Sequence, residues 1–363
     1  MTALDYIKYI YIDAPLIAKV ALILSAIFIY TATICLLLSV FSRFDQLAFN
    51  RRKSRLLKIY QRRLTEMLFE ENGADDTRKL ERVKKRYLKD DESKEIMIGI
   101  LLEQQRNFSG ELNDRIKYFY ETLGLNKTSI AKVFSKKWHL IAIGIRELGL
   151  LGASHNIDHI KPFTNHKYLI IRREAQMALV RQKGIDGLSF LDTLTYQLSE
   201  WHQLNLFETL AKIATKEKPK LTKYLESSNV SVICFALKLV GFFKLMDTPD
   251  KILELLKHDE RIVRMVAVQT IARLEYYHLS QTLLDYYPTQ PLEVRVEILK
   301  AFCEIGMPEL SDFLMREFKS TQFEISLHAA KAIQVINPKL LLSYKLESED
   351  IYQHNQIKMQ LIH

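Results

Sequence analysis

The sequence predicts an all-α protein in which an N-terminal transmembrane helix precedes a right-handed α-solenoid of helical hairpins. Three observations predict this fold class. An uncharged run extends from Val20 to Phe41. A pattern of apolar and small residues recurs about every 31 residues in the second half of the chain. Only 11 glycines and 8 prolines occur among 363 residues, so turn signals between strand-like segments are scarce.

The uncharged run is long enough to cross a membrane. A bilayer core about 30 Å thick requires roughly 20 apolar residues of helix. A spanning helix tolerates the polar members of the run, because short hydroxyls can bond back to their own backbone. These members are Ser25, Tyr30, Thr31, Thr33, Cys35 and Ser39. A cleaved signal peptide is the competing interpretation, but its apolar region is normally about 7 to 15 residues and follows the positive charge. A buried helix of a soluble protein is the remaining alternative.

The charge beside this run predicts its orientation. Residues 43–63 carry eight basic residues against Asp45, a balance of +7 within the +9 of the whole chain, while residues 1–42 are neutral. The positive-inside rule places the long C-terminal part in the cytoplasm and the N-terminus outside, in an inner membrane. We expect contact with anionic lipid, worth about 1 kcal/mol per basic residue. The candidate membrane-surface residues are Arg43, Arg51, Arg52, Lys53, Arg55 and Lys58.

The remaining composition excludes several classes of protein. Residues 64–363 carry a balance of only +2, which does not support a nucleic-acid partner. Cys35, Cys234 and Cys303 are too few and too scattered for a disulfide framework or a zinc site, and they are compatible with a reducing cytosol.

The repeat becomes visible when the chain is aligned on a small central residue, the anchor. The anchors recur at a nearly constant spacing, at Ala142, Ala175, Asn205, Ala236, Ala267, Ile298 and Ala329. Large apolar residues stand four positions earlier, at Trp138, Ile171, Trp201, Val232, Val263, Val294 and Ile325. Positions four apart share one face of a helix, so each unit is predicted to bury a stripe on its second helix.

Each unit is predicted to begin with another helix. Asp250–Lys257 follows Pro249 and Glu309–Phe318 follows Pro308, where proline suits a first helical turn. A hairpin of this size cannot bury its apolar face alone, so neighbouring units stack.

The units resemble the HEAT-like repeat family, in particular its short bacterial form of the phycobilisome-lyase type, with the pattern V-R-x-x-A. Val263, Arg264 and Ala267 match this pattern fully. Ile171, Arg172 and Ala175 match nearly, and Ile298 replaces the small residue after Val294 and Arg295. The resemblance covers roughly residues 136 to 340. Departures from the motif are His139, His202, Asn205, Ile233 and Ser326.

The whole arrangement also resembles membrane-anchored HEAT-repeat proteins of bacteria, which implies a scaffold or accessory subunit. The predicted organisation has five parts. They are a short extracytoplasmic N-terminus (1–15), the transmembrane helix (16–42), a basic juxtamembrane and helical connector (43–135), the solenoid of about seven units (136–345) and a tail or degenerate cap (346–363). Within the connector we expect helix breaks at 72–76 and 107–110.

The sequence contains few signs of a catalytic or metal-binding site. The chain has no G-x-G-x-x-G, G-x-x-x-x-G-K-[ST], G-x-S-x-G or H-E-x-x-H motif. His155 and His159 have helical spacing for two metal ligands, but no third ligand accompanies them, and a polar connection between repeats is the better interpretation. The motif arginines Arg172, Arg264 and Arg295 are interpreted as intramolecular braces. We therefore expect no catalytic residue, metal or cofactor.

A candidate partner surface lies on the second helices, in the columns two residues before and two residues after the anchors. In the C-terminal half these columns place apolar residues beside lysines, as a groove that binds protein requires. The candidate residues are Cys234, Lys238, Met265, Gln269, Val296, Lys300, Leu327 and Lys331. Lateral burial of these positions between neighbouring helices is an equally weighted alternative.

The sequence thus favours a non-enzymatic, membrane-anchored scaffold that binds a protein partner, itself membrane-associated, at the cytoplasmic face. Two alternatives stay open. One is an accessory or regulatory subunit of a membrane glycosyltransferase complex that makes polysaccharide. The other is a lyase-type enzyme, since some HEAT-like proteins attach bilin pigments.

Overall fold

A computed structural model describes residues 15–69, 73–108, 110–212, 219–343 and 357. Its regular elements within these residues are all helical, which confirms the predicted all-α class. The chain divides into two compact units, Met1–Thr128 and Ser129–His363.

The first unit begins with one long helix. The helices are α1 (Leu16–Phe69), α2 (Gly73–Tyr87), α3 (Asp91–Asn107), α4 (Glu111–Thr122) and α5 (Leu125–Val133), which crosses into the second unit. At 1.5 Å per residue α1 is about 81 Å long. The predicted boundary between residues 42 and 43 is therefore not a helix end. Because residues 16–72 contain neither proline nor glycine, nothing in this sequence interrupts the helix.

The described residues in the apolar part of α1 are not packed into a core. The stretch Lys19–Phe41 could cross a membrane by length and composition, and none of its described residues is buried. Thr31 Oγ1 donates to the Ile27 carbonyl at 3.0 Å and Thr33 Oγ1 to the Ile29 carbonyl at 2.6 Å, as predicted. Among the candidate membrane-surface residues, Lys58 is exposed. The side chains of Arg43, Arg51, Arg52, Lys53 and Arg55 lie outside the described residues.

The C-terminal turns of α1 belong to the core of the first unit. Tyr60, Leu64 and Met67 are buried with Leu80 of α2 and Met97 of α3. The Tyr60 hydroxyl donates to the Tyr87 carbonyl at 2.9 Å, and Arg115 donates to the Met67 carbonyl at 2.7 Å. These bonds tie the end of α1 to α2 and α4. The predicted break at 107–110 is confirmed between α3 and α4, whereas most of 72–76 lies inside α2.

The second unit contains the predicted repeats. Its helices are α6 (Trp138–Leu151), α7 (Ile157–Ile160), α8 (Leu169–Lys183), α9 (Glu200–Lys212), α10 (Thr222–Leu225), α11 (Val230–Phe242), α12 (Pro249–Leu255), α13 (Arg261–Arg273), α14 (Ser280–Tyr286), α15 (Leu292–Ile305), α16 (Ser311–Phe318), α17 (Phe323–Ile336) and α18 (Pro338–Ser343). We call α6, α8, α9, α11, α13, α15 and α17 the inner helices. Their first residues follow one another at a nearly constant spacing along the chain, which confirms the period.

The first helices of the hairpins are less regular than predicted. In the later units α12, and α16 preceded by the 3₁₀ turn Pro308–Leu310, match the predicted segments. The unit before α9 instead uses the 3₁₀ segment Gly184–Thr193, and within the described residues the unit before α11 has the short α10. Gly184 and Gly187 disfavour a regular α-helix in the former.

The predicted stripe is confirmed in five units; in the first unit the anchor Ala142 is buried but Trp138 is exposed, and in the third unit the stripe is wrong. In α8, α11, α13, α15 and α17 the residue four positions before the anchor and the anchor itself are buried. Trp138 and Trp201 are exposed instead, and Asn205 donates to the Trp201 carbonyl at 2.8 Å. Counted from the helix starts, Gly144 and Leu206 stand at the position that the anchor occupies in the other five helices, and both are buried.

At the C-terminus α18 ends at Ser343. Most of the predicted tail, 346–363, lies outside the described residues. Within it Ile357 is buried.

Candidate partner-binding groove

The inner helices pack side by side through their buried stripes. Close packing joins α6 to α8 and runs from α11 through α13 and α15 to α17. The neighbours α9 and α11 approach each other much less closely. Within the described part of the second unit, the stack of inner helices therefore opens between α9 and α11.

Polar side chains bridge this opening. Lys238 Nζ of α11 donates to Gln203 Oε1 of α9 at 2.9 Å, and Ser231 Oγ accepts from the Leu198 N–H at 2.8 Å. Asn229 Nδ2 donates to the Tyr196 carbonyl at 3.0 Å. These hydrogen bonds connect the two helices without closing the space between them.

The space is a groove of about 750 Å³, which we call the α9–α11 groove. Its lining is Gln197, Leu198, Glu200, Trp201, Gln203, Leu204, Val230, Ser231, Cys234, Lys238, Ile262, Met265, Val266 and Gln269. Four residues of the sequence-predicted partner surface are among them, namely Cys234, Lys238, Met265 and Gln269. The structure brings these four together on α11 and α13.

Large apolar side chains stand exposed at the groove. Trp201 is 65% exposed, and Leu204 and Ile262 are also exposed. Sequence reasoning missed Trp201 because it assigned this residue to the buried stripe. The repeat length could not have corrected this, since Ala175 and Ala236 are 61 residues apart and Asn205 and Leu206 fit a period of about 31 residues equally well.

The other four predicted residues, on α15 and α17, do not line this groove. Leu327 is buried and Val296 is half-buried, as the alternative of lateral packing predicts for them. Lys300 Nζ lies 3.0 Å from Glu297 Oε2, while Gln269 Nε2 donates to Glu297 Oε1 at 2.6 Å. The predicted row is therefore not one uniform surface.

Two titratable groups near the groove are held neutral at pH 7. Burial raises the pKa of the Cys234 thiol to about 11, against a smaller opposing effect of Lys238. Burial, and then the charges of Arg173 and Arg172, lower the pKa of His202 to about 4. His202 Nε2 lies 2.7 Å from Gln176 Oε1. A protonated thiol is a weak nucleophile.

The motif arginines serve as intramolecular braces. Arg172 donates to the His166 carbonyl at 2.7 Å, and Arg264 donates to the carbonyls of His258 and Asp259 at 2.8 and 2.9 Å. Arg295 pairs with Glu317 at 2.9 Å. These bonds hold the loop before the inner helix or join α15 to α16.

The histidine pair has exposed side chains. The His159 ring meets Phe134 edge-on at 5.8 Å, and His155 is exposed. Across the described ranges no group of three histidine, cysteine or carboxylate side chains is placed to hold a metal ion.

Comparison with known proteins finds no matching family model and no matching curated protein. Several solved helical-repeat structures of the HEAT-like kind are similar in fold. The Escherichia coli YibA structure has 17% identity and a TM-score of 0.37, covering 72% of this chain and 98% of that one. The complex of CpcE and CpcF of phycocyanin lyase from Nostoc has 13% identity and a TM-score of 0.26, covering 72% and 94%. Kap95p bound to RanGDP has 11% identity and a TM-score of 0.33, covering 75% and 38%.

Proposed function

We propose that this protein is a non-enzymatic scaffold, anchored in the inner membrane by α1, that binds a protein segment in the α9–α11 groove at the cytoplasmic face. The observation that carries the proposal is the opening in the stack of inner helices, where Trp201, Leu204 and Ile262 stand exposed beside a groove of about 750 Å³.

The groove has the composition of a binding site for a peptide segment. Tryptophan is enriched among residues that dominate binding energy, and an apolar centre with a polar rim is typical of protein interfaces. Met265 and Cys234 supply apolar lining, while Lys238 and Gln203 supply polar groups. A partner segment with an apolar anchor and backbone carbonyls facing Lys238 fits this arrangement.

The exposed apolar stretch of α1 supports the membrane anchor. A soluble protein rarely exposes a contiguous apolar surface of this extent. Of the described residues in Lys19–Phe41 none is buried, unlike the core helix of a soluble protein. The basic residues 43–63 that follow support a cytoplasmic location for the second unit.

A photocrosslinking experiment tests the groove. We place p-benzoylphenylalanine at Met265, in the lining, and in a matched control at the exposed Val335 of α17. The full chain is expressed in its native cells. We expect a discrete crosslinked species from Met265 alone, lost on Trp201→Ala. Equal crosslinking at both positions, or a species unaffected by Trp201→Ala, would contradict the proposed groove.

A fractionation experiment tests the anchor separately. The full chain should stay in the membrane pellet after carbonate extraction, whereas a variant with Ile23→Arg and Ile27→Arg should be released because charge at the bilayer centre is costly. Mass spectrometry of the N-terminus distinguishes a cleaved signal sequence. Release of the unaltered chain, or a shortened N-terminus, would overturn the anchor without affecting the groove.

A further inference from the structure

A second exposed surface, formed by other residues than those of the α9–α11 groove, lies at the N-terminal ends of α6 and α8. We call it the basic–aromatic edge. Its apolar members are all exposed, Phe134 by 67% and Trp138 by 47%. It consists of Phe134, Lys136, Lys137, Trp138, Lys167, Tyr168, Leu169 and Ile170.

Helix packing brings the two halves of this edge together. Gly149 lies against Ala178, and Arg146 of α6 pairs with Glu174 of α8. In both contacts the later residue of α6 meets the later residue of α8, so the two helices are parallel. Their N-terminal ends therefore lie at the same end of the pair, which places Trp138 on the same edge as Lys167–Ile170.

The charge of this edge distinguishes it from the corresponding ends of later inner helices. The segments 134–139 and 166–170 contain three lysines and no acidic residue. Four of the five later inner helices carry a carboxylate at the same place, and α11 is the exception: Glu200 begins α9, Glu260 precedes α13, and Glu293 and Glu324 are the second residues of α15 and α17. The starts of α6 and α8 thus combine exposed aromatic rings with positive charge. Within these two segments no carboxylate neutralises that charge.

The Lys167 side chain shows how such an edge is built. Its ammonium lies 5.4 Å from the centre of the Tyr168 ring, and both side chains are exposed. Tyrosine and tryptophan have an apolar ring and a polar tip, and lysine has an apolar stem and a charged head. These are the side chains that partition into the region between lipid headgroups and acyl chains.

We propose that the basic–aromatic edge binds the surface of an anionic bilayer and gives the solenoid a second membrane contact. The positive charge without carboxylates complements anionic headgroups, and the exposed Trp138, Tyr168, Leu169 and Ile170 insert between them. The inference rests on the proposed membrane attachment through α1, which keeps the solenoid near a bilayer.

The two tryptophans of the chain provide the test, because each can be observed alone. Full-length Trp201→Phe retains only Trp138, and full-length Trp138→Phe retains only Trp201. Both are reconstituted in phosphatidylcholine vesicles with or without phosphatidylglycerol, and flotation verifies membrane attachment. With brominated lipids in anionic vesicles, we expect a blue shift and strong quenching of Trp138. Trp201, which follows Glu200, should retain the emission of an exposed indole.

Charge variants complete the design. Lys136→Glu, Lys137→Glu and Lys167→Glu together should abolish Trp138 quenching. The matched triple variant Lys183→Glu, Lys220→Glu and Lys257→Glu changes the same charge at exposed positions elsewhere and should retain it. Protein that floats while Trp138 stays unquenched overturns the lipid-binding edge and leaves the anchor intact, whereas protein that fails to float overturns the anchor. Quenching independent of lipid charge also overturns the proposal.

Discussion

Gly149 of α6 and Ala178 of α8 are in direct contact, and a Cβ atom added to Gly149 would lie 2.5 Å from the Ala178 Cβ and 2.9 Å from its Cα. Since real Cβ atoms do not approach so closely, glycine is the residue that permits this distance between the helices. The first two repeats are joined through this contact.

Gly149→Ala should destabilise the second unit by about 1–3 kcal/mol, because the two helices must separate to admit the methyl group. Gly99→Ala is the matched control, since nothing lies within 4 Å of a Cβ there and the residue is also helical. It should be neutral or stabilise by up to about 1 kcal/mol. Urea unfolding in detergent measures both. Equal effects of the two variants would show that α6 and α8 are not in contact.

A buried ion pair joins α5 to α6. Lys132 Nζ lies 2.7 and 2.9 Å from the Glu147 carboxylate, which also accepts from Ser129 Oγ at 2.5 Å. Glu147→Gln removes the negative charge beside a buried ammonium, so we expect a loss of about 3–5 kcal/mol.

The matched control removes the whole Lys132–Glu147 ion pair. Lys132→Met, Glu147→Leu and Ser129→Ala together replace buried charge with apolar contacts of similar volume and should recover most of the loss. Thermal unfolding followed by circular dichroism compares the variants. A triple variant as unstable as Glu147→Gln would mean that the pair contributes specific stability that packing cannot replace.

His202 should make stability depend on pH. Its pKa is lowered to about 4 in the folded protein from 6.5 when exposed. The unfolded chain therefore binds a proton first as the pH falls, and stability decreases from about pH 6.5 down to pH 4, by about 3 kcal/mol. His202→Gln should flatten this dependence of the urea midpoint, while a control variant at the exposed His278 retains it. An unchanged slope in His202→Gln would contradict the assignment.

Cys234 should react slowly with alkylating reagents. A variant with Cys35→Ser and Cys303→Ser retains Cys234 as the single thiol. Because burial raises its pKa to about 11, its iodoacetamide reaction rate should increase about tenfold per pH unit from pH 7 to 10. The same measurement on the urea-unfolded chain is the control and should level off near pH 9. A plateau below pH 9 in the folded protein would indicate an accessible thiol.

Much of the fold follows from local patterns in the sequence. The repeats at Val263–Ile271 and Val294–Phe302 are recognisable because aliphatic residues at helical spacing indicate the buried face of a helix. Trp138 and Trp201 misled the alignment because a large aromatic side chain satisfies the same pattern while lying exposed at a helix start. For the irregular segment 184–193, Gly184 and Gly187 indicate only that a regular α-helix is disfavoured, since the conformation also depends on the inner helices on either side.

The candidate site was predictable only in part. Cys234, Lys238, Met265 and Gln269 follow from the repeat columns, which state where a side chain points. The opening between α9 and α11 does not follow from these columns, because it depends on which neighbouring helices pack closely. Gln203 and Ser231 bond across the opening, but the equivalent positions of other inner helices are also polar, for example Arg264 and Glu293, so these residues do not mark the opening in the sequence.

The unbroken course of α1 has a mechanical consequence. A helix of 54 residues with no glycine or proline has no joint between its apolar part and the turns around Tyr60 and Met67 that are locked into the first unit. Whatever environment holds the apolar part, a rotation or tilt imposed there is transmitted as rigid motion to α2, α3 and α4. The first unit is thus mechanically coupled to the environment that surrounds the apolar part of α1.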